Sequence, residues 1–348
     1  MRTRRRVWIR SSGSATGGSL PRISREPHLP DADVKYGTPT ARWVIAATVL
    51  GSGIAFLDST VVNVALPAIA DDLDAGIRGL QWVLDGYLVT LTALILLGGS
   101  LGDHYGRRRM YVYGLVGFTL ASVLCGVAPN TGTLIAARAL QGVGGALLVP
   151  GSLAIISATF HESDRSRAIG AWSGLAGVSS ALGPLVGGYL VDAVSWRWVF
   201  LINVPIAAVA IAITIRHVPE SRDETVTGRP DIPGAVLASA GLAGLAYAFI
   251  EGPSEMSAAV VVAGVLGAVA LVTFVIVELR ARTPMLPMDL FRSQQFTGAN
   301  LTTLAVYTAL GGALFLVVLE LQVVLDYSAL EAGSALLPIT VLMLFLSP

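Results

Sequence analysis

Long apolar stretches dominate the chain from residue 43 onward. A helix needs about 20 mostly apolar residues to cross about 30 Å of hydrocarbon. Nine stretches meet this requirement, so the pattern predicts nine membrane-spanning helices, and a tenth begins near Ala332 and is cut off at Pro348. The predicted spans are 43–67, 80–101, 110–128, 133–158, 168–190, 198–216, 233–250, 257–277 and 296–318.

The composition is that of a protein whose surface faces lipid. Of the 348 residues, 54% are hydrophobic and 13% are charged, and the mean hydropathy is +0.70. Soluble proteins carry about 25% charged residues, so this chain lacks the charge needed to cover a water-exposed surface. The fold class expected is therefore an all-α integral membrane protein.

Basic residues are distributed unequally between the two sides of these spans. If the N-terminus faces the cytoplasm, all but three of the 23 lysines and arginines fall in cytoplasmic segments, the exceptions being Arg78, Arg197 and, inside a span, Arg138. The positive-inside rule predicts this asymmetry. We expect a multi-pass protein of the cell (inner or plasma) membrane with a cytoplasmic N-terminus. Residues 1–42, rich in Arg, Gly, Ser and Pro, are expected to form a disordered basic tail.

Three ionisable residues lie clearly inside the spans, namely Asp58, Asp85 and Arg138. A charge at mid-bilayer costs about 2.5–3.5 kcal/mol on insertion scales, so each is a functional hypothesis. A rise of 1.5 Å per residue places all three about 8 Å below the outer face. If their faces converge, two carboxylates share one guanidinium and one of them holds an exchangeable proton. The alternative, that Arg138 only ties the carboxylates together for packing, stays open.

Helix 2 ends in a run of glycines, one acidic residue and three arginines. Glycines allow close packing and a tight turn, Asp103 can face the positive end of a neighbouring helix, and the arginines hold the loop inside. The run resembles the signature loop between helices 2 and 3 of the major facilitator superfamily, which implies a gating role. Its residues are Gly99, Gly102, Asp103, Gly106, Arg107, Arg108 and Arg109.

Helix 5 carries Gly170, Gly183, Pro184, Gly187 and Gly188. This spacing resembles the antiporter motif G-x8-G-x3-G-P-x2-G-G, with Ser179 in place of one glycine. Physically, such a helix is kinked and poor in side chains, so it packs closely on its neighbour and limits leak. The plainer interpretation is a packing helix of the kind found in any facilitator.

Residues 57–67, 137–145 and 196–205 resemble further motifs of the fourteen-helix drug:proton antiporters, and the resemblance runs from 43 to 348. It implies a major facilitator fold in which the C-terminal bundle is incomplete, lacking four helices and with them the second-half partner of Asp103. The implied units are the tail 1–42, an N-terminal six-helix bundle 43–217, a cytoplasmic loop 218–232, two inserted helices 233–277, a loop 278–295 and the first helices of a C-terminal bundle 296–348.

The resemblance also implies a function, which is proton-coupled export of amphipathic small molecules from the cell. Asp58 and Asp85 would carry protons or attract cations, with Arg138 as their modulator. Candidate residues of the substrate cavity are Gln141, which shares a face with Arg138, together with Asn203 and Tyr307. The expected partners are the lipid bilayer and a small amphipathic substrate, and no nucleic acid is expected to bind. No cofactor is expected, since the proton motive force would supply the energy.

Other functions have less support or stay open. The sequence has no nucleophile–base pair, phosphate-binding loop or His/Cys cluster with metal-ligand spacing, which argues against an enzyme and a metal site. Within transport, a dedicated exporter of one metabolite would use the same coupling. A truncated, non-transporting remnant is the alternative from another class. The coupling ion, H⁺ or Na⁺, and the substrate itself are left undecided by the sequence.

Overall fold

The computed structural model describes residues 34–223, 231–253, 256–281 and 288–336, together with 284, 286 and 338. These residues are almost entirely helical, and their one pairing of extended backbone is an isolated bridge between Val34 and Phe160. The helices are α1 (Pro39–Leu73), α2 (Ile77–Tyr105), α3 (Arg107–Gly126), α4 (Thr131–Thr159), α5 (Glu162–Ala193), α6 (Trp198–Leu201), α7 (Asn203–His217), α8 (Ile232–Glu251), α9 (Ala258–Arg280), α10 (Gln294–Leu319) and α11 (Ala329–Ala335).

Within the described part of the chain, nine helices are long and apolar enough to cross a membrane. The short helix α6 and α7 together make one of these spans, Trp198–His217, and α10 continues as a span to Val324 through a π-helical turn. The nine spans expected from the apolar pattern are thereby confirmed. Most of the helices extend a few residues beyond the apolar stretch, because polar residues at helix ends supply caps rather than lipid contact.

The segment just before the first span is structured, so residues 34–42 do not belong to a disordered tail as expected. Helix α1 begins at Pro39, where the Thr38 hydroxyl accepts a hydrogen bond from the Ala41 amide. Upstream, the Tyr36 amide donates to Asp164 at 3.0 Å. The Tyr36 bond and the bridge between Val34 and Phe160 hold the start of this segment against the end of α4 and the start of α5, which sequence composition alone did not indicate. The rest of the predicted tail, residues 1–33, lies outside the described residues.

Helices α1 to α7 pack into one bundle through close backbone approaches at glycines. A Cβ atom at Gly144 on α4 would lie 2.5 Å from the backbone nitrogen of Phe118 on α3. Small residues at such positions let helix backbones approach closely. This close packing holds helices together in lipid, where the hydrophobic effect does not drive their association. The bundle interior contains two apolar clusters, one around Tyr111 and Phe118 and the other around Leu66 and Phe200.

The helices that follow pack at the periphery of this bundle. Gly244 on α8 and Gly267 on α9 bring these two helices together as a hairpin. Helix α8 docks on α2, where Glu251 accepts hydrogen bonds from Arg78 at 2.8 Å and from the Trp82 indole at 3.2 Å. Many apolar side chains on α9 and α10 are exposed, which suits helices whose outer face meets lipid.

Candidate functional site

A buried ion pair joins Asp58 on α1 to Arg138 on α4 through a short contact between the guanidinium Nη1 and the carboxylate Oδ2. Both side chains are almost completely removed from solvent, at 0% and 1% exposure. Two charges removed from water are stable only when they pair well and when further hydrogen bonds satisfy the remaining lone pairs and protons. The convergence expected for Asp58 and Arg138 is confirmed.

Three further polar side chains, one from α4 itself and two from α3 and α7, complete this arrangement, which we call the Asp58 network. Gln141 donates to the free carboxylate oxygen Oδ1 at 2.8 Å and accepts from Arg138 at 2.6 Å. Asn203 on α7 donates to the same oxygen at 3.2 Å. Ser122 on α3 accepts from both amides, at 2.8 Å from Gln141 and 3.2 Å from Asn203. The Asp58 network therefore depends on the relative positions of α1, α3, α4 and α7.

Helix α2 contributes backbone and aromatic contacts to the guanidinium. The Nε group of Arg138 donates to the Val83 carbonyl at 3.0 Å, and its Cζ lies 4.5 Å from the centre of the Tyr87 ring. The Phe200 ring lies on the guanidinium as well, at 5.7 Å. Cation–π contacts of this kind gain strength when water is excluded. Arg138 is thus held in one position by α1, α2, α4 and α6.

One polar atom of the Asp58 network has no partner. The side-chain oxygen Oδ1 of Asn203 is buried and receives no hydrogen bond within the described residues. A buried acceptor without a donor costs about 1–3 kcal/mol, so its presence needs a reason. The Asn203 amide group lies beside the Asp58 carboxylate, which is the group that gains a hydrogen-bond donor when it is protonated.

Asp85 does not join this network, and its predicted convergence with Arg138 is wrong. The face of α2 that meets α4 carries Val83, Tyr87 and Thr90, whose hydroxyl donates to Ala139 at 2.9 Å. At 100° per residue, Asp85 lies about 200° around the helix from Tyr87. It shares its face instead with Arg78 and Trp82, which contact α8. Among the described residues, nothing forms a hydrogen bond or ion pair with its carboxylate.

The three substrate-cavity candidates lie in two different environments. Gln141 and Asn203 are fully buried within the Asp58 network. Tyr307 on α10 is 64% exposed on the outer surface of the described structure. The three side chains therefore do not line one common space here. A cavity between two halves of a transporter is formed by side chains from both, so a pattern within single helices could not place it.

The loop between α2 and α3 places its charged residues as an ordered turn. The Asp103 carboxylate accepts from the Nε and Nη2 groups of Arg107, at 2.9 and 2.7 Å, at the first residue of α3. This contact is with the Arg107 side chain, whereas the first two amides of α3 donate to Ser221 and Glu220, so the expected contact of Asp103 with the positive end of a neighbouring helix stays a prediction. Gly106 has φ +108°, a conformation that L-residues rarely adopt, so a glycine is required at this turn. Arg109 is exposed, and Gly99 and Gly102 lie on the last turns of α2.

The glycines of α5 contact two different helices. Gly183 and Gly187 lie against Thr60 and Val61 of α1, and Ser179 lies against Gly53 of the same helix. Gly188 lies against the start of α11, near Leu330, and Pro184 lies inside α5. By contrast, no atom of the described residues lies within 4 Å of a Cβ built at Gly170. The close packing expected from this motif is present at its C-terminal half and absent at its first glycine.

A methyl group at Gly187 is expected to destabilise the bundle. The Cβ of Gly187→Ala would lie 2.8 Å from the Val61 side chain and 2.9 Å from the Val61 carbonyl oxygen, forcing α1 and α5 apart. Overpacking of this kind costs about 1–3 kcal/mol. The matched control is Gly174→Ala on the same helix, where a Cβ meets no atom of the described part of the chain within 4 Å. Thermal unfolding in detergent measures both, and equal melting temperatures would contradict the close contact.

Sequence reasoning missed two residues that the structure brings forward. Ser122 accepts both amides of the Asp58 network, and Glu220 contacts the loop between α2 and α3. Ser122 lies in an apolar span, where a serine also serves as a small packing residue, so the sequence offered no distinguishing signal. Glu220 lies in a polar segment among other charged residues, where an acidic side chain is ordinarily solvated.

The fold and the buried site together define a polytopic helical membrane protein whose first six spans surround an intramembrane ion pair. The chain matches the Major Facilitator Superfamily over residues 48–348, and it belongs to that family. A solved structure of the peptide transporter POT in complex with sulfate aligns with a TM-score of 0.54, covering 72% of this chain and 54% of that chain. The sequence identity is 15%, so this likeness concerns the fold alone.

Two curated relatives are similar over most of this chain. A methylenomycin A resistance protein of Bacillus subtilis (strain 168) is 39% identical over 298 residues, which are 85% of this chain and 64% of that protein. Multidrug resistance protein Stp of Mycobacterium tuberculosis (strain H37Rv) is 38% identical over 307 residues, 87% of this chain and 57% of that protein. The chain therefore spans about three fifths of the length of these relatives.

Proposed function

We propose that this chain forms the coupling half of a proton-driven exporter of small amphipathic molecules in the cell membrane. The observation that carries the proposal is the buried Asp58–Arg138 pair, held in a polar shell with one unpartnered acceptor. Ionisable residues inside a membrane are costly, and proton relays are one of the functions that retain them. Asp58 is the proposed proton site, and Asp85 is not part of it.

The protonation state of Asp58 controls the hydrogen bonds of the whole network. The ionised carboxylate accepts from Arg138, Gln141 and Asn203, and these bonds hold their helices together. A proton on Asp58 removes the charge that attracts Arg138 and turns an acceptor into a donor. If the Asn203 amide rotates by half a turn, its Oδ1 atom meets this new donor. The unpartnered oxygen then gains a hydrogen bond from the protonated carboxyl group, which the ionised carboxylate cannot supply.

This exchange of partners couples a proton to helix positions. Arg138, released from the carboxylate, still holds the Val83 carbonyl and the Tyr87 ring of α2. The contact between α1 and α4 thus weakens while that between α2 and α4 remains. A proton shifts a two-state equilibrium only by its differential affinity for the two states, and the change of partners supplies that difference. In the proposed topology the N-terminus is cytoplasmic and protons reach Asp58 from the outer side.

The substrate class is proposed from the relatives and the lipid-facing architecture. One relative is named for resistance to a single antibiotic and the other for multidrug resistance. Both names fit small organic molecules that partition into membranes. A dedicated exporter and a broad exporter would both use the Asp58 network for coupling. The range of compounds transported distinguishes the two.

The proposal is tested in inside-out membrane vesicles. They contain the protein encoded by the longest open reading frame that includes this chain. A pH gradient, acid inside, is expected to drive accumulation of ethidium, a cationic amphipathic dye, and of puromycin. Nigericin, which exchanges H⁺ for K⁺ and dissipates the pH gradient, is expected to stop it. An imposed Na⁺ gradient without a pH difference is the control and should drive none. Accumulation driven by Na⁺ would overturn proton coupling, and no uptake of any compound from a chemically varied panel would overturn export.

A further inference from the structure

A short segment after α7 lies across the loop between α2 and α3. We call this segment, residues Val218 to Asp223, the strap. The Arg107 amide donates to the Ser221 carbonyl at 2.8 Å, and the Asp223 amide donates to the Asp103 carbonyl at 3.1 Å. Arg108 donates from Nη1 to the Val218 carbonyl at 3.1 Å. The strap is therefore bound to the loop along its length, largely by backbone groups.

Glu220 is the central side chain of this contact. Its Oε1 atom accepts from the Arg108 amide at 3.0 Å and from the Ser221 amide at 3.2 Å, and Oε2 lies 3.7 Å from Arg108 Nε. Gly106 makes room for it, because a Cβ there would lie 2.8 Å from Oε1. The glycine at this turn is thus required by its positive φ and also by the carboxylate that packs on it.

The strap satisfies the N-terminus of α3. The first amides of a helix have no partner within the helix, and a polar side chain at the residue preceding the helix usually supplies one. The residue preceding α3 is Gly106, which has no side chain, so this helix has no side-chain cap of its own. Ser221 and Glu220 accept from the first two amides instead, and a carboxylate at this end is also favoured by the helix dipole.

We propose that Glu220 is a positioning residue for the gating loop: by accepting from the Arg108 amide at the start of α3 and from the Ser221 amide of the strap, it holds the strap on the loop and so fixes the position of the loop. This inference rests on the proposed transport function for its purpose, but the contact itself is testable without transport.

The docking of the strap is tested by cysteine labelling of the chain in lipid nanodiscs, where both faces are accessible. The reporter is Ser221→Cys, with the buried Cys125 replaced by alanine. Glu220→Ala is expected to raise the maleimide labelling rate roughly fivefold, because a partly exposed charged acceptor of two amides is lost. Glu220→Gln keeps an acceptor oxygen and should fall between. The control Glu162→Ala removes an exposed acidic side chain at the start of α5 and should leave the labelling rate of the reporter unchanged.

The labelling result separates a positioning role from a general effect on folding. Melting temperatures of the Glu220 variants are measured in parallel, and the expected result is faster labelling with a small change in melting temperature. Equal labelling of the reporter with and without Glu220 would overturn the proposal. If labelling changes while the vesicle assay shows no transport, the strap stands and the proposed function fails. If transport occurs and labelling is unchanged, the function stands and the strap fails.

Discussion

Arg138→Gln is expected to lower the free energy of unfolding of this chain by about 3 kcal/mol or more. The substitution leaves the Asp58 carboxyl group fully buried and without its counter-charge. It also removes the hydrogen bond to the Val83 carbonyl and the contacts with the Tyr87 and Phe200 rings, so four helices lose a shared anchor. Thermal and denaturant unfolding of the purified chain in detergent measures the loss.

Two comparisons make this result specific to the buried pair. The double variant Asp58→Asn/Arg138→Gln removes both charges and is expected to recover much of the stability, since an uncompensated charge is worse than a neutral pair. Arg197→Gln breaks a half-exposed pair with Asp72, where exposed ion pairs are worth about 0.2–1 kcal/mol. If Arg138→Gln costs no more than Arg197→Gln, the Asp58 network does not hold the bundle as described.

Removal of the titratable group is expected to abolish proton-driven export altogether. In the double variant Asp58→Asn/Arg138→Gln, the bundle keeps its fold but has no group at this site that binds and releases a proton. The pH gradient should then drive no more ethidium into inside-out vesicles than it drives in vesicles without the protein. Membrane levels and melting temperature are measured in the same preparations, so a loss of transport is not confused with a loss of protein.

Two other carboxylates serve as controls for this experiment. Asp71→Asn changes an exposed residue near the end of α1, outside the Asp58 network, and should leave transport unchanged. Asp85→Asn neutralises the carboxylate of α2 that lies about 200° from Tyr87 and away from Arg138, and it too should leave the pH-driven step in place. Retained coupling in the double variant would exclude Asp58 as the proton site. A loss in Asp85→Asn alone would assign the proton to the face of α2 that meets α8.

Sequence alone determined the parts of this protein that depend on position along one helix. Apolar length predicted the nine spans, because each must cover the hydrocarbon thickness whatever its neighbours are. The glycines after helix 2 predicted a tight turn, and Gly106 at φ +108° provides it. The two chemical groups of the buried pair, Asp58 and Arg138, were also evident from sequence, because a charge in an apolar run is conspicuous at any depth.

Tertiary structure decided which of these groups meet. Asp58, Asp85 and Arg138 lie at similar depth, but depth follows from counting residues, whereas contact follows from the direction in which each helix face points. That direction depends on how α2 is rotated between α4 and α8, and glycine packing sets this rotation over many residues. Small residues carry little pattern of their own, so the sequence could not show that Asp85 faces away from Arg138. For the same reason Ser122, Asn203 and Glu220 gained their roles through neighbours far along the chain.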